Sequence, residues 1–269
     1  MCKPVIKWVG GKRQLLNKIK EEMPKKYNRY HEPFIGGGAL FFDLSPKNAV
    51  INDFNEELIN MYQVLKENPK ELMIDLCSHL NTEEYYYSLR KLDRLPIFKK
   101  ISKLKRASRF IFLNKTGFNG LYRVNKKGQN NVPYGRYKNP KIFEENNFIN
   151  CSKVLKNTTI LTGDFENIKP YIKKGDFIYL DPPYVPLNKT SNFTSYTEKG
   201  FDLKMQYRLK DFCDYIDSIG AYFIQSNSHT DFVLNLYQEY NIINVEANRA
   251  LNCNGEKRGK ILEVLIKNF

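Results

Sequence analysis

The feature that most constrains this chain is a short apolar run that two prolines terminate. Phe177–Leu180 is aromatic and β-branched and follows a glycine–aspartate pair, as expected for a buried parallel strand. Pro182 and Pro183 cannot donate a ladder hydrogen bond, so the strand must end there in a rigid turn. Open α/β sheets bind ligands at the carboxyl ends of their strands. The pattern therefore predicts a ligand site at this turn.

The turn carries groups that suit a planar ring with an exocyclic amino group. Asp181 and the Pro182 carbonyl are acceptors that can take both protons of an NH2 group, and Tyr184 offers a plane for stacking. An ordinary surface turn with a packed aromatic residue is the alternative. The tetrapeptide by itself does not separate the two.

A second stretch is typical of the nucleotide-binding start of a doubly wound sheet. A short strand at 31–34 leads through the glycines 36–38 into an apolar helix. The next strand, 49–52, ends at Asp53, at a spacing that suits ribose hydroxyls. Taken alone, the pattern fits NAD, FAD or S-adenosylmethionine. The glycine spacing departs from GxGxxG, which disfavours a dinucleotide.

The middle of the chain has a different spacing of apolar and basic residues. From 56 to about 114 the apolar residues recur at helical spacing, which predicts a helical insertion. Six basic residues form a face that we interpret as lying against phosphates: Lys99, Lys100, Lys103, Lys105, Arg106 and Arg109. Residues 114–138 alternate glycine, aromatic and basic side chains, which predicts an exposed β-hairpin for direct base readout.

The α/β pattern then resumes. Thr158–Thr162 reads as a strand that is followed by another acid and aromatic, Asp164 and Phe165. The loop 185–200 is long enough to be a lid. Further elements are predicted as helices at 202–219 and 230–240, a strand at 221–225, and an antiparallel pair at 242–246 and 261–266.

Composition limits the classes of partner and cofactor. The formal net charge of +14 and pI of about 9.4 favour a polyanionic partner, nucleic acid before membrane; a basic soluble enzyme is the alternative. Five scattered cysteines and three distant histidines argue against a disulfide framework and a metal site. No apolar stretch approaches the ~20 residues of a spanning helix. With no secretory pattern at its start, the protein is expected in the cytoplasm.

Several motifs together carry a family resemblance. Residues 7–12, 34–38 and 181–184 resemble those of the Dam-type (alpha-class, D12) DNA adenine-N6 methyltransferases, in which the glycine motif precedes the target-recognition region and Asp-Pro-Pro-Tyr follows it. Residues 118–123 and 132–137 are also similar. The resemblance covers nearly the whole chain and is closest to GATC-methylating members of Gram-positive restriction–modification systems.

The resemblance implies an α/β fold, namely a Rossmann-like S-adenosylmethionine-dependent methyltransferase sheet. It implies a catalytic domain at 1–55 and 151–269 and an inserted helical and hairpin target-recognition domain at 56–150. The implied catalytic residues are Asp181, Pro182, Pro183 and Tyr184. The implied cofactor-binding residues are Trp8, Lys12, Phe34, Gly36, Gly38, Asp53, Asp164, Phe165 and Asp181. The implied DNA-binding residues are Lys7, Phe118, Asn119, Leu121, Arg123, Pro133 and Arg136.

The implied reaction is methyl transfer from S-adenosylmethionine to N6 of a flipped adenine in GATC of double-stranded DNA. Adenine N6 is a poor nucleophile, because its lone pair is delocalised into the ring. Accepting both N6 protons at Asp181 and Pro182 favours a pyramidal nitrogen. Methylation of cytosine N4 is the alternative within the enzyme class, and an inactive DNA-binding regulator is the alternative outside it. A restriction endonuclease for the same site is the implied functional partner, and the oligomeric state stays open.

Overall fold

The computed structural model describes residues 2–10, 12, 15–186, 201–248 and 260–269. The strands are β1 (Tyr30–Glu32), β2 (Ala49–Asp53), β3 (Thr158–Thr162), β4 (Phe177–Leu180), β5 (Tyr222–Ser228), β6 (Asn241–Asn248) and β7 (Lys260–Lys267). The helices are α1 (Leu16–Glu22), α2 (Ala39–Leu44), α3 (Glu56–Glu67), α4 (Pro69–Cys77), α5 (Glu83–Lys91), α6 (Lys103–Thr116), α7 (Glu145–Lys156), α8 (Leu203–Ser218) and α9 (Asp231–Leu236). Short 3-10 turns occupy Leu92–Arg94, Pro96–Lys100, Phe118–Gly120 and Phe165–Tyr171.

The strands form one seven-stranded sheet in the order β3-β2-β1-β4-β5-β7-β6. The pairs β2–β3, β1–β4 and β4–β5 are parallel, and β7 runs antiparallel to both β5 and β6. All residues of β1 and β4 are buried, as is usual for parallel strands with both faces covered. The predicted Rossmann-like fold and its antiparallel closing pair are confirmed.

The chain divides into two compact units. The first unit is Met1–Gly11 with Ile35–Asp164, and the second unit is Lys12–Phe34 with Phe165–Phe269. The first holds β2, β3 and α2 to α7; the second holds β1, β4 to β7, α1, α8 and α9. The division into a catalytic domain (1–55 and 151–269) and a recognition domain (56–150) concerns function and stays a prediction.

The helical insertion predicted from residue 56 is present in the first unit. Asn55 caps α3 by accepting hydrogen bonds from two backbone amides of its first turn, and Ser102 caps α6 by accepting one from the Lys105 amide. The interpretation of the six basic residues as one phosphate-facing surface is wrong for two of them. Arg106 pairs with Glu57, and the buried Arg109 lies 2.9 Å from an oxygen of Asp93. These arginines turn inward because carboxylates within the unit compensate their charge.

The prediction of hairpin strands within 114–138 is also wrong. The segment does return on itself, but its described residues make only two isolated antiparallel bridges, Gly117 to Tyr134 and Val124 to Asn130. The backbone has positive φ at Asn119 (55°) and at Gly128 (73°), conformations that interrupt an extended strand. The reversal of the chain was therefore predictable from the glycines, whereas the hydrogen-bonding pattern between its two halves was not.

Three further expectations concern the helix at 230–240, the suggested lid, and membrane-spanning helices and metal sites. The helix predicted at 230–240 ends at Leu236. Most of the suggested lid, namely residues 187–200, lies outside the residues that the structure describes. Within the described part of the chain, no helix is long and apolar enough to cross a membrane, and no group of His, Cys, Asp and Glu side chains could hold a metal ion.

A buried histidine–aspartate pair joins the start of β4 to β1. Nε2 of His31 lies 2.9 Å from Oδ2 of Asp176, which also accepts a hydrogen bond from the Lys173 amide. Both side chains of the pair are buried. Burial lowers the pKa of His31 below its ordinary value of 6.5, although the carboxylate of Asp176 opposes this effect.

We expect His31→Gln to flatten the pH dependence of stability. Since the pKa of His31 is lower in the folded chain, the unfolded chain binds more protons just below pH 6.5. The stabilisation is therefore complete above that pH and declines as the pH falls toward the folded pKa, by at most about 1.4 kcal/mol per pH unit. Urea unfolding of both proteins between pH 5 and 8 measures the slopes. Equal slopes would show that His31 does not carry this dependence.

Candidate active site and DNA interface

The predicted catalytic turn follows β4 in the second unit. Nζ of Lys12 lies 2.9 Å from Oδ1 of Asp181 and 4.4 Å from the centre of the Tyr184 ring. Lys12 lies 169 positions before Asp181 in the sequence. The structure brings it next to Asp181 and Tyr184, which belong to one motif. Burial raises the pKa of Asp181, and the nearby ammonium of Lys12 opposes the rise. Lys12 therefore compensates a carboxylate that is largely removed from water.

The backbone after Asp181 is held by side chains from α8 and β5. Nε2 of Gln206 donates to the carbonyl of Pro183 at 3.1 Å. The amide of Val185 donates to Oδ1 of Asn227 at 3.3 Å, and the hydroxyl of Ser228 donates to the Val185 carbonyl at 2.7 Å. Because prolines remove two backbone donors from the turn, these side chains supply much of its hydrogen bonding.

The ring of Tyr184 is fixed by its hydroxyl. That hydroxyl donates to Oε2 of Glu263 on β7 at 2.9 Å. Burial and the neighbouring negative charges raise the pKa of Tyr184 well above its ordinary value, so the phenol keeps its proton and can donate. Close by in the sheet, the hydroxyls of Tyr179 and Ser226 lie 2.8 Å apart.

A second predicted pair of residues is also brought together in the second unit. The rings of Phe34 and Phe165 have centroids 5.4 Å apart, and Phe201 lies 5.9 Å from Phe34. The guanidinium carbon of Arg208 lies 5.2 Å from the centre of the Phe165 ring. Phe34 stays half-exposed while Phe165 is buried. The cluster presents an aromatic surface of the kind that binds a flat ring.

In the first unit, Asp53 stands at the end of β2, as predicted. Its Oδ2 accepts the Gly36 amide at 2.9 Å and its Oδ1 accepts the Asn55 amide at 3.0 Å. Burial raises the pKa of Asp53, and these amide hydrogen bonds oppose the rise. A carboxylate has about four lone-pair sites, and Asp53 also accepts the Phe54 amide, so capacity for a further hydrogen bond remains.

Glycine is required beside this carboxylate. Gly36 and Gly38 have φ of 46° and 68°, and a Cβ added to Gly36 would lie 2.8 Å from the indole of Trp8. Trp8 in turn stacks on Tyr122, with centroids 5.3 Å apart. A side chain at Gly38 would meet the ring of Phe42 at 3.0 Å. The glycines therefore allow positive φ and let Trp8 and Phe42 pack closely against the backbone.

Asp164, the remaining predicted cofactor residue of the first unit, lies just after β3. The side-chain amide of Asn52 donates to the carbonyls of Gly163 and Asp164 at 3.0 and 3.3 Å. The Gly163 amide donates to the carbonyl of Asp53 at 3.0 Å. The ends of β2 and β3 are thereby joined, so the acidic residues Asp53 and Asp164 lie on neighbouring strand ends.

All the predicted DNA-binding side chains except Lys7 lie on the loop between α6 and α7 of the first unit. Four of them besides Arg123 are exposed: Phe118, Asn119, Pro133 and Arg136. Leu121 is half-buried. The Phe118 amide donates to the Pro133 carbonyl at 2.9 Å, which brings these two residues together. Arg136 lies apart from that contact, with its guanidinium 3.7 Å from Glu83.

Arg123 is oriented by one neighbour. Its Nε donates to Oδ1 of Asn131 at 2.7 Å, and its terminal amino group donates to the Asn131 carbonyl at 3.2 Å. The side chain is exposed, so the guanidinium is directed by the loop while facing solvent. A guanidinium has five N–H donors, and these two bonds leave others for a partner.

The returning half of the loop is fastened to α5 and the turn after it. Arg90 and Tyr86 both donate to the carbonyl of Val132, at 2.8 and 3.0 Å. Asp93 accepts the amide of Asn130 at 2.8 Å and also pairs with the buried Arg109. These long-range bonds replace the missing strand ladder, since they satisfy the same backbone groups.

Lys7 is positioned by a buried amide. The backbone amide of Lys7 donates to Oδ1 of Asn114 at 2.9 Å, and Nδ2 of Asn114 donates to the carbonyls of Lys7 and Gly120 at 2.8 and 2.9 Å. The Lys7 side chain is exposed, with its ammonium 5.5 Å from the centre of the Tyr137 ring. One side chain thus ties the N-terminal motif to the start of the loop.

Three residues at these sites were not singled out from the sequence. Phe54 is 82% exposed directly after Asp53, and it repeats the acid–aromatic pattern of 164–165. Glu263 is the one charged residue between Lys260 and Lys267 at the ends of β7, and Asn114 is a polar residue on a buried helix face. For Glu263 and Asn114 the signal is a polar group among apolar neighbours, which requires a partner.

Comparison with known proteins agrees with the motifs. A family model for D12 class N6 adenine-specific DNA methyltransferases matches residues 8–251. The chain is 49% identical to type II methyltransferase M1.LlaDCHI of Lactococcus lactis subsp. cremoris, over 99% of this chain and 95% of the relative. It is 47% identical to type II methyltransferase M.MjaIII of Methanocaldococcus jannaschii, over 99% of each. DNA adenine methylase of Haemophilus influenzae is 32% identical over 98% of this chain and 92% of its own.

We expect Asn114→Ala to destabilise the chain by about 1–3 kcal/mol, because it leaves buried backbone groups of Lys7 and Gly120 without their partner. Urea unfolding measures the loss. The exposed Asn139→Ala serves as the matched control and should change stability by less than about 0.5 kcal/mol. An equally small effect of Asn114→Ala would mean that the three bonds contribute nothing to stability.

Proposed function

The chain belongs to the D12 class of N6 adenine-specific DNA methyltransferases, and we propose that it methylates a flipped adenine within GATC of double-stranded DNA. Its enzyme class is thereby confirmed as an S-adenosylmethionine-dependent DNA adenine-N6 methyltransferase. The recognition sequence, the flipping of the base and the roles of individual residues belong to the proposal.

The observation that carries the proposal is the partly buried Asp181 beside Lys12 and Tyr184. A carboxylate offers about four lone-pair sites, so the contact with Lys12 leaves capacity to accept a proton of adenine N6. The Pro182 carbonyl is the second acceptor, and Tyr184 stacks on the base. Holding both N6 protons directs the nitrogen lone pair away from the ring plane and toward the methyl donor.

Lys12 has a clear electrostatic role in this arrangement. Only ionised Asp181 accepts a proton from N6, and burial alone favours the neutral acid. The ammonium of Lys12 offsets that effect at 2.9 Å. When N6 is methylated it must lose a proton, and the compensated Asp181 is placed to accept it. We propose Pro183 as the residue that completes the rigid turn.

The residues of the predicted cofactor site fit S-adenosylmethionine. Asp53 retains acceptor capacity for ribose hydroxyls. Gly36 and Gly38 hold the turn beside it at positive φ, with Trp8 and Phe42 packed against them. Phe34 and Phe165 provide an aromatic surface for the adenine ring. When bound, S-adenosylmethionine supplies an electrophilic methyl group.

The remaining cofactor residues are proposed on the same grounds. Trp8 packs against the glycine backbone, Asp164 lies beside the end of β2, and Lys12 adds a positive charge for a carboxylate. Phe54 joins this set as an exposed ring next to Asp53. Together, these residues offer hydrogen-bond acceptors for hydroxyl groups and aromatic faces for a flat ring.

For the DNA, we propose that the loop between α6 and α7 reads the target. Arg123 is the candidate for a guanine edge, because its guanidinium is both oriented and exposed. The others are proposed to fill or support the position from which the adenine leaves: Lys7, Phe118, Asn119, Leu121, Pro133 and Arg136. The sequence GATC is proposed from the likeness of these residues to GATC-methylating enzymes.

We also propose a biological setting. Two of the relatives are named type II methyltransferases. By analogy, this chain protects DNA in a type II restriction–modification system, with a cognate endonuclease that cuts the same site. The endonuclease is a functional partner through the shared sequence, and the proposal requires no contact between the two proteins.

The central test uses labelled S-adenosylmethionine and GATC-containing DNA, with the modified nucleoside identified after digestion. We expect label in N6-methyladenine with the wild type and none with Asp181→Ala, since the Pro182 carbonyl alone cannot hold both N6 protons. Label in N4-methylcytosine would favour the cytosine alternative, and the absence of any transfer would favour a DNA-binding regulator.

The affinity of Asp181→Ala for DNA separates its chemical role from a structural one. Because phosphate contacts are made elsewhere on a basic chain, DNA binding should persist in this variant. Calorimetry with S-adenosylmethionine is run alongside, since Asp181 is also proposed to contact the cofactor. Appreciable single-turnover methylation by Asp181→Ala would refute the proposed role.

We expect Arg123→Ala to cost ~1–3 kcal/mol at GATC and to relax discrimination at one base pair, because a bidentate contact to guanine is lost. The measurement is the methylation rate on GATC and on every single-base variant, at two salt concentrations. Lys127→Ala, an exposed cation of the same loop, is the matched control and should weaken all sequences alike. A uniform loss with Arg123→Ala as well would assign Arg123 to phosphate contact.

A further inference from the structure

We propose that Glu263 is a positioning residue for methyl transfer, which holds the Tyr184 ring in place through the phenol hydroxyl. The proposal rests on the proposed function, in which Tyr184 stacks on the target base. It goes further by assigning a role to a residue outside the sequence motifs. Glu263 acts through Tyr184 and contacts neither adenine nor cofactor in this proposal.

The contact itself is specific. The phenol of Tyr184 donates to Oε2 of Glu263 at 2.9 Å, across 79 residues of sequence. A tyrosine ring can rotate about two side-chain torsions, and stacking on a base requires one orientation. The hydroxyl is the atom farthest from the backbone, so a bond there restrains the swing of the ring about the Cα–Cβ bond more strongly than any contact near Cβ.

Glu263 is well suited to fix a ring, because its own backbone is held on both sides. β7 lies between β5 and β6 in the sheet, and Glu263 pairs with Ser228 on one side and Val245 on the other. The next three residues of β7 are buried. A side chain that begins on a doubly paired strand has little freedom to follow a moving ring.

Charge also favours this contact. Glu263 places a negative charge on a strand whose next three residues are apolar and buried, in a region that also contains Asp181. Removing such a charge partly from water is unfavourable unless it is paired or hydrogen-bonded. The Tyr184 phenol gives the carboxylate a donor, and a charged acceptor makes a stronger hydrogen bond than a neutral one. The bond therefore serves both partners.

Alanine and glutamine variants test the role by single-turnover methylation of GATC DNA with saturating S-adenosylmethionine. Glu263→Ala should lower the rate roughly tenfold to a hundredfold, as expected for loss of a bond to a charged group. Glu263→Gln should retain most of the rate, because its amide oxygen accepts from the phenol. Affinities for DNA and S-adenosylmethionine should change less than about twofold, since the loss is in the chemical step.

A double-mutant cycle with Tyr184→Phe identifies the path of the effect. If Glu263 acts through the phenol, Tyr184→Phe should lose as much rate as Glu263→Ala, and the double variant should lose no more than either one. A double variant whose loss of rate equals the product of the two single losses would overturn the proposal. So would an unchanged rate for Glu263→Ala, or equal losses for Glu263→Ala and Glu263→Gln.

A more conservative variant covers the case in which Glu263→Ala does not fold. Glu263→Asp withdraws the acceptor by one methylene while keeping the charge, so it should lower the rate when Tyr184 is present. In the Tyr184→Phe background it should have no further effect. An equal loss in both backgrounds would show a merely structural role and contradict the proposal.

A matched control comes from another tyrosine–carboxylate pair of the second unit. The hydroxyl of Tyr240 donates to Asp214, away from the 181–185 turn in sequence and on different elements. Tyr240→Phe should leave the rate unchanged. Failure of the wild type to methylate adenine would reject the proposed function itself, whereas an active wild type with an equally active Glu263→Ala rejects the positioning role alone.

Discussion

A carboxylate at the end of a buried strand has to be compensated and held, and this requirement shapes much of the second unit. Lys12 supplies the positive charge for Asp181, while the prolines after it remove the donors with which a turn normally holds itself. The missing bonds come from α8, β5 and β7, elements that are distant in sequence. A rigid acceptor therefore depends on the whole arrangement of strands around it.

Elements governed by local pattern could be predicted from the sequence, and those governed by distant partners could not. The strand 177–180 was recognisable because a doubly covered strand is continuously apolar, and Asp53 and Asp181 follow directly from strand ends. The loop of residues 114–138 was misread because long-range bonds such as that from Arg90 to Val132 hold it instead of a ladder. Glu263 was not predicted as a site residue, because its partner Tyr184 lies 79 residues away in the sequence.

The charge of the chain illustrates a related limit. A net charge of +14 suggests a surface for phosphates, and basic residues 99–109 were the obvious place for it. Arg106 and Arg109 instead pair with Glu57 and Asp93 inside the first unit. Sequence gives the sum of charges, whereas the fold decides which of them face solvent. Arg109 stabilises the loop between α6 and α7 indirectly, because Asp93 also accepts the amide of Asn130.

The way in which that loop is fastened has a consequence for the divergence of new specificities. The bonds to residues 130 and 132 from Tyr86, Arg90 and Asp93 go to main-chain atoms, which every amino acid other than proline possesses in full. Exposed side chains such as Phe118 and Arg123 can therefore be exchanged without loss of these attachments. In the proposed function, substitution at such positions after gene duplication would alter the target on an unaltered scaffold, and the same positions would define a compact library for directed evolution.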